Sequence, residues 1–177
     1  MGSSSVSLND SILFELDKLT IGNVKKRIVN ELVEYKNIYS YIHAEYKENI
    51  NQPIIILTIA LKKKDTLFQF YITKDYPFKP PIKFKINYKD YIDYLKIDSQ
   101  KTLYELKSFY NINCLCCNNI YCNDTKWSPT MKMQDFINEF KKIKIYRYEI
   151  IIRILCKKIV EKYLISDINL LEWLLNF

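Results

Sequence analysis

Glycine occurs only twice in the 177 residues, at Gly2 and Gly22, and histidine once, at His43. A phosphate cradle needs glycines where backbone N–H groups crowd a ligand, so a Gly-rich nucleotide loop is excluded. A single imidazole gives a Ser-His-Asp triad no choice of base and provides no histidine pair for zinc or iron. No apolar run approaches the length of about 18 residues that a membrane-crossing helix requires. The first residues, Met1-Gly2-Ser3-Ser4-Ser5-Val6, have neither a hydrophobic signal core nor the Ser or Thr that a myristoylation motif wants at position 6. The expectation is an intracellular chain, cytoplasmic or nuclear, with no membrane partner.

What remains as chemistry is cysteine, carboxylate, lysine and the backbone. Lys plus Arg number 27 against 20 Asp plus Glu, giving +7 and a general attraction for acidic partners. The positive charge is spread, with only short runs at Lys62-Lys63-Lys64, Lys141-Lys142 and Lys157-Lys158, so these read as solvated faces and a nucleic-acid partner is not expected. Of the five cysteines, Cys114, Cys116, Cys117 and Cys122 lie within nine residues. In a reducing compartment that clustering points to reactive thiols or metal rather than to a disulfide framework. Cys114 and Cys117 form a C-x-x-C pair with Cys122 following, but ligands this crowded close a tetrahedron poorly, so metal is the weaker alternative. Cys156, among Ile and Leu, reads as a core residue. Asn123-Asp124-Thr125 matches a glycosylation acceptor, which without a secretory signal is read as chance.

At 177 residues and 21.3 kDa, about half apolar, the chain has the size of one domain with its own core. Residues 23–36 place Val24, Ile28, Leu32 and Tyr35 on one helical face, with Lys25, Lys26, Arg27, Glu31 and Glu34 on the other. Strands are expected at 39–47, 54–61, 67–72 and 82–86, joined by short polar segments at 48–52 and 62–65, which makes a four-stranded antiparallel meander. Between the third and fourth strands, Asp75-Tyr76-Pro77-Phe78-Lys79-Pro80-Pro81 holds three prolines in five residues and reads as a rigid turn. Residues 88–110 read as one or two short helices. Beyond the cysteines, helices are expected at 131–145, with Ser128 as cap and Pro129 at the first position, then at 148–165, with a short third from Ser166-Asp167. An N-terminal helix, a meander, an irregular Cys-bearing segment and C-terminal helices make an α+β protein.

Tyr76-Pro77-Phe78-Lys79-Pro80-Pro81 followed by Ile82-Lys83-Phe84, the helix with Lys26-Arg27-Ile28 and Glu31-Leu32, and Trp127-Ser128-Pro129 opening a helix together resemble the ubiquitin-conjugating (UBC-like) enzyme family. The match runs over roughly 20–145, with 1–19 as an N-terminal extension, an insertion at about 88–108, and 146–177 as C-terminal helices of the same domain. The chain departs from the family in four places. The glycine hairpin between the second and third strands is missing, the insertion is extra, the His-Pro-Asn triplet appears as Phe109-Tyr110-Asn111, and the Asp-Pro-Asn-Pro turn after 145 is absent.

The resemblance implies an acyl transferase, working in an ATP-dependent pathway without a cofactor of its own, that carries ubiquitin or a ubiquitin-like protein as a cysteine thioester and passes it to lysine. Gap-free spacing from Asn111 to Trp127 puts the family's cysteine position on Asn119, whose amide cannot form a thioester. A two-residue slip puts it on Cys117, followed by Asn118, Asn119 and Ile120 in the family's Cys-x-x-Ile manner; Cys122 is the alternative, with Cys116 and Cys114 behind. Asn111 would stand where the family's asparagine supports lysine attack. Phe78, Pro129 and Thr130 would face a ubiquitin ligase, and Lys25, Lys26 and Arg27 the activating enzyme. The alternative is a catalytically inactive UBC-like variant, or a related RWD-like module, that serves as a protein-binding partner.

Overall fold

The computed structural model describes residues 9–19, 22–48, 52–62, 66–97, 99–115, 119–120 and 126–163. Helix α1 (Asp10–Asp17) opens the chain inside the stretch expected only as an extension: the Asn9 side chain caps it by accepting from Ser11 N at 3.3 Å, and Ile12 and Leu16 turn inward one helical turn apart. Helix α2 (Gly22–Tyr35) buries Val24, Ile28 and Leu32 as the spacing requires, but also Glu31, which the sequence pattern assigns to the polar side.

The meander then forms at the expected places as β1 (Tyr39–Lys47), β2 (Ile54–Leu61), β3 (Leu67–Thr73) and β4 (Lys83–Ile86). A short fifth strand, β5 (Lys89–Asp90), was not expected, and the five run antiparallel in the order β1-β2-β3-β4-β5. The two-residue Asn87-Tyr88 turn before β5 has positive φ at both positions, the handedness that matches strand twist in a tight hairpin. Asn87 fixes it to β3, donating from N to Leu67 O and accepting from Leu67 N on Oδ1.

The chain divides into two compact units, Met1–Lys96 with Cys116–Asn138, and Ile97–Leu115 with Glu139–Phe177. The core of the first is set by register. Leu57 lies opposite Phe70, Phe70 opposite Phe84, and Ile59 opposite Phe68, so alternate residues of three strands share one buried face. Aromatic rings extend that face outward: Phe84 stacks on Phe70 at 4.7 Å, Phe136 meets Phe84 at 5.4 Å, and Trp127 meets Phe136 at 5.6 Å.

Short α3 (Tyr91–Leu95) follows β5, and α4 (Gln100–Tyr110) supplies the helical content expected between 88 and 110. In place of the two helices expected at 131–145 and 148–165, one helix, α5 (Met133–Tyr163), runs for 31 residues. Nothing between Phe136 and Tyr163 is Gly or Pro, so the backbone has no reason to break at 146–147. The third helix expected from Ser166 lies outside the described residues.

In the second unit α4 and α5 pack side by side. The Tyr110 and Tyr146 rings lie 4.4 Å apart, Arg153 sits 3.1 Å over Phe109, and Lys157 bonds buried Glu105 at 2.6 Å. Cys156, expected in a core, is exposed on α5, because the inward face here is the one marked by fully buried Ile150.

Candidate partner-binding site

The Asp75–Pro81 segment is ordered by its own backbone. Tyr76 N donates to Thr73 O at 3.2 Å and Lys79 N to Asp75 O at 3.0 Å, while Lys79 Nζ pairs with Asp75 Oδ2 at 3.1 Å. The Tyr76-Pro77 peptide is cis. Tyr76 and Pro81 turn inward, and Phe78, between them, is 78% exposed.

Two contacts tie this turn to distant chain. The Tyr76 hydroxyl donates to Glu31 Oε1 at 2.5 Å, and the indole N–H of Trp127 donates to Pro77 O at 2.8 Å. Glu31 is 3% exposed, so its charge is stable only if surrounded by donors. It has three: the Tyr76 hydroxyl, Arg27 Nε at 2.6 Å, and the backbone N–H of Met133 at 2.8 Å, where α5 begins. Arg27 in turn donates through Nη2 to Met131 O at 2.8 Å. The spacing that misassigned Glu31 contained the signal. Glu31 lies three residues after Ile28 and seven after Val24, on the apolar stripe, where an acid persists only with partners from elsewhere.

The electrostatics follow from this packing. Burial, reinforced by the Glu31 carboxylate, holds the Tyr76 phenol well above its ordinary pKa. Tyr39, buried and donating to Gln134 Oε1 at 3.1 Å, is raised for the same first reason. Burial works against the Arg27 charge, but Glu31 outweighs it and raises the guanidinium pKa.

Helix α5 does not start as expected. Ser128 does not cap it and Pro129 is not its first residue, because Ser128 O accepts from Met131 N at 2.9 Å and closes a turn ahead of Met133. Asp135 caps instead, reaching back to Lys132 N at 2.7 Å, and the Glu31 carboxylate adds negative charge at the same end. Pro129 and Thr130 are left exposed in the loop just after Trp127. Through the Trp127 to Pro77 bond, the segments carrying Phe78 and Pro129-Thr130 are held together.

Of the three basic residues on α2, Lys26 is exposed, Lys25 pairs with Asp17 of α1, and Arg27 is committed to Glu31 and the Met131 carbonyl. Asn111 ends α4 as its left-handed cap, φ 54°, with N donating to Lys107 O at 3.1 Å; the residue is exposed. Asn119 is buried at 1% exposure. Cys116, Cys117 and Cys122 lie outside the described residues. Cys114, expected as a free thiol or a metal ligand, is disulfide-bonded, which removes the thiolate that a metal would need. Among the described residues no three His, Cys, Asp or Glu side chains gather as a metal site, and no helix is long and apolar enough to cross a membrane.

No protein-family model, curated protein or solved structure matches the chain.

Proposed function

We propose that this chain is a divergent UBC-like protein that carries ubiquitin or a ubiquitin-like modifier as a cysteine thioester and delivers it to lysine with the help of a ligase. The observation that supports this reading most is the exposed Phe78 ring on a turn fixed from both sides, by Tyr76 to Glu31 and by Trp127 to Pro77. These are the residues on which the family resemblance rests. A ring presented this way loses little ordering entropy when a partner closes over it.

The chemistry proposed for Cys117 is transthiolation. Its thiolate attacks the carbonyl carbon of the modifier's thioester on the activating enzyme, a new S–C bond forms, and the activating enzyme's thiolate leaves. Lysine attack then releases the Cys117 thiolate and leaves an amide. An ordinary cysteine with a pKa of about 8.5 supplies a few per cent of thiolate at neutral pH, and positioning by the bound modifier supplies the rest of the advantage.

Incubation with an activating enzyme, ATP and a panel of ubiquitin-like modifiers tests the reading. A thiol-reducible adduct that is lost in Cys117→Ala is the expected result. Loss in Cys122→Ala alone would move the nucleophile and keep the function. The buried Asn119, at the gap-free thioester position, favours a second reading, an inactive variant that binds partners only. Absence of any adduct, with retained binding to a ligase or modifier, would establish it.

A further inference from the structure

Helix α5 is apolar on two opposite faces, and among the described residues only one of them is used within its own unit. The inward face carries buried Ile150 and the contacts of Tyr146, Arg153 and Lys157 with α4. The outward face carries Ile145, Tyr148, Ile151, Ile152, Leu155 and Ile159, every one at least 50% exposed. Numbered in heptads from Ile145 as a, the three a positions are Ile145, Ile152 and Ile159, and the first two d positions are Tyr148 and Leu155. A 3-4-3-4 repeat of this kind is a coiled-coil seam, and β-branched residues at a with Leu at d favour two parallel strands.

We propose that this face pairs with the same face of a second copy of the chain, as a short parallel two-stranded coiled coil with two-fold symmetry. Charge supports the parallel sense. Lys144 at g falls beside Glu149 at e of the second copy, Ile151 falls beside Cys156, and Lys158 beside Tyr163, so each flanking contact is opposite in charge or free of repulsion. Within its own unit Glu149 accepts from the Tyr110 hydroxyl on one carboxylate oxygen, and Lys144 Nζ lies 5.7 Å from the Tyr148 ring centroid. Both residues stay exposed, and their five-residue spacing does not pair them within one helix, so the negative charge of Glu149 is still available to Lys144 of the second copy. The seam is under three heptads and too short to hold isolated helices together. Here α5 is already folded by packing on α4, so association does not have to supply the cost of forming the helix.

Sedimentation equilibrium of the full chain over about 1–100 μM, the range in which a short interface of this kind associates, tests the proposal. The expected species at the upper end has twice the 21.3 kDa chain mass. Ile152→Glu with Leu155→Glu should weaken dimerisation about 100-fold or more by burying like charges in the seam. Its circular dichroism should be unchanged, because both residues are exposed. Should that variant lose its fold, Lys144→Glu carries the test: it should weaken the dimer about threefold or more, and Lys144→Glu with Glu149→Lys should recover it. A monomer throughout the range, or a dimer indifferent to the paired glutamates, would overturn the proposal. So would an unaffected Lys144→Glu dimer, which would deny the parallel sense. A monomer that instead sediments with phosphatidylserine–phosphatidylcholine vesicles through these residues would assign the face to a lipid surface.

Discussion

The hydroxyl of Tyr76 donates to the carboxylate of Glu31 at 2.5 Å across 45 residues of sequence, joining the proline turn to helix α2. The same carboxylate receives the Met133 N–H, 102 residues away, where α5 starts. Three segments therefore share one buried charge. The orientation of the turn that presents Phe78 is a tertiary property, and the prolines alone do not fix it.

Removing that charge should be expensive. Glu31→Ala strands a guanidinium, a phenol and a backbone N–H, and is expected to cost about 3–5 kcal/mol of stability, the range for breaking a buried, hydrogen-bonded charge. Urea denaturation followed by tryptophan fluorescence measures it, since Trp127 packs on Tyr76 at 6.0 Å. Glu31→Gln, which keeps acceptor capacity, should lose less. Glu34→Ala, which removes the exposed pair with Lys132, should leave the midpoint nearly unmoved. Equal effects of the Glu31 and Glu34 changes would mean that Glu31 is not the hub.

Alkaline pH should loosen the first unit through its two buried phenols. Tyr76 and Tyr39 both have pKa values raised in the folded protein, chiefly by burial. In the unfolded chain a tyrosine loses its proton near pH 10, so above that pH the unfolded state binds fewer protons than the folded one and stability falls. The contribution of each is intact below about pH 10 and declines by about 1.4 kcal/mol per pH unit above it. Tyr76→Phe should be less stable at neutral pH, having lost its bond to Glu31, yet show an alkaline slope shallower by one proton. An unchanged slope would assign the alkaline loss to other groups.

What was legible in the sequence divides along physical lines. The strands were readable because Ile54–Ile59 is a nearly unbroken β-branched run, and α2 because Val24, Ile28 and Leu32 repeat at helical spacing. Helix α1 has its signals, an Asn9 cap with Ile12, Leu16 and Leu19 in phase, but it lies outside the stretch that the family resemblance covers, so 1–19 reads as an extension. Glu31 was misread because its donors lie 45 and 102 residues away, and no local pattern reports them. The helices expected at 131–145 and 148–165 are one, because no Gly or Pro between Phe136 and Tyr163 breaks the backbone. For the site, the turn was readable from its prolines, whereas the Trp127 to Pro77 bond needed the fold. Ser128 and Pro129 carry an N-terminal signature that matches, yet the turn they make stops short of the helix, because Asp135 and Glu31 provide a better start at Met133.

That start can be tested at Asp135, whose carboxylate satisfies the Lys132 N–H at 2.7 Å. Asp135→Ala should cost about 1 kcal/mol, the usual value for a lost N-terminal cap. Ser128→Ala should cost less, because its side chain bonds the Thr130 hydroxyl, at 2.6 Å on the surface, and no backbone N–H of the helix among the described residues. The order of the two urea midpoints decides the matter: a larger loss for Ser128→Ala would return the cap to the place that the sequence pattern indicated.

Phe78 separates binding from folding. The ring is 78% exposed, so its truncation removes little buried area, and Phe78→Ala should leave the thermal midpoint within about 2 °C of the parent. An aromatic anchor at the centre of an interface contributes about 2 kcal/mol or more when truncated, which is a factor of about thirty in affinity. If the proposed function holds, charging with modifier should be nearly unchanged in Phe78→Ala, while ligase-stimulated discharge should fall about tenfold or more. Trp127→Phe offers the complementary case. It keeps the ring packing but removes the donor to Pro77 O, so it should lower stability by about 1 kcal/mol and impair discharge only as far as the turn loosens. A Phe78→Ala protein that charges and discharges like the parent would exclude the turn from ligase contact. One that melts many degrees lower would make Phe78 a packing residue.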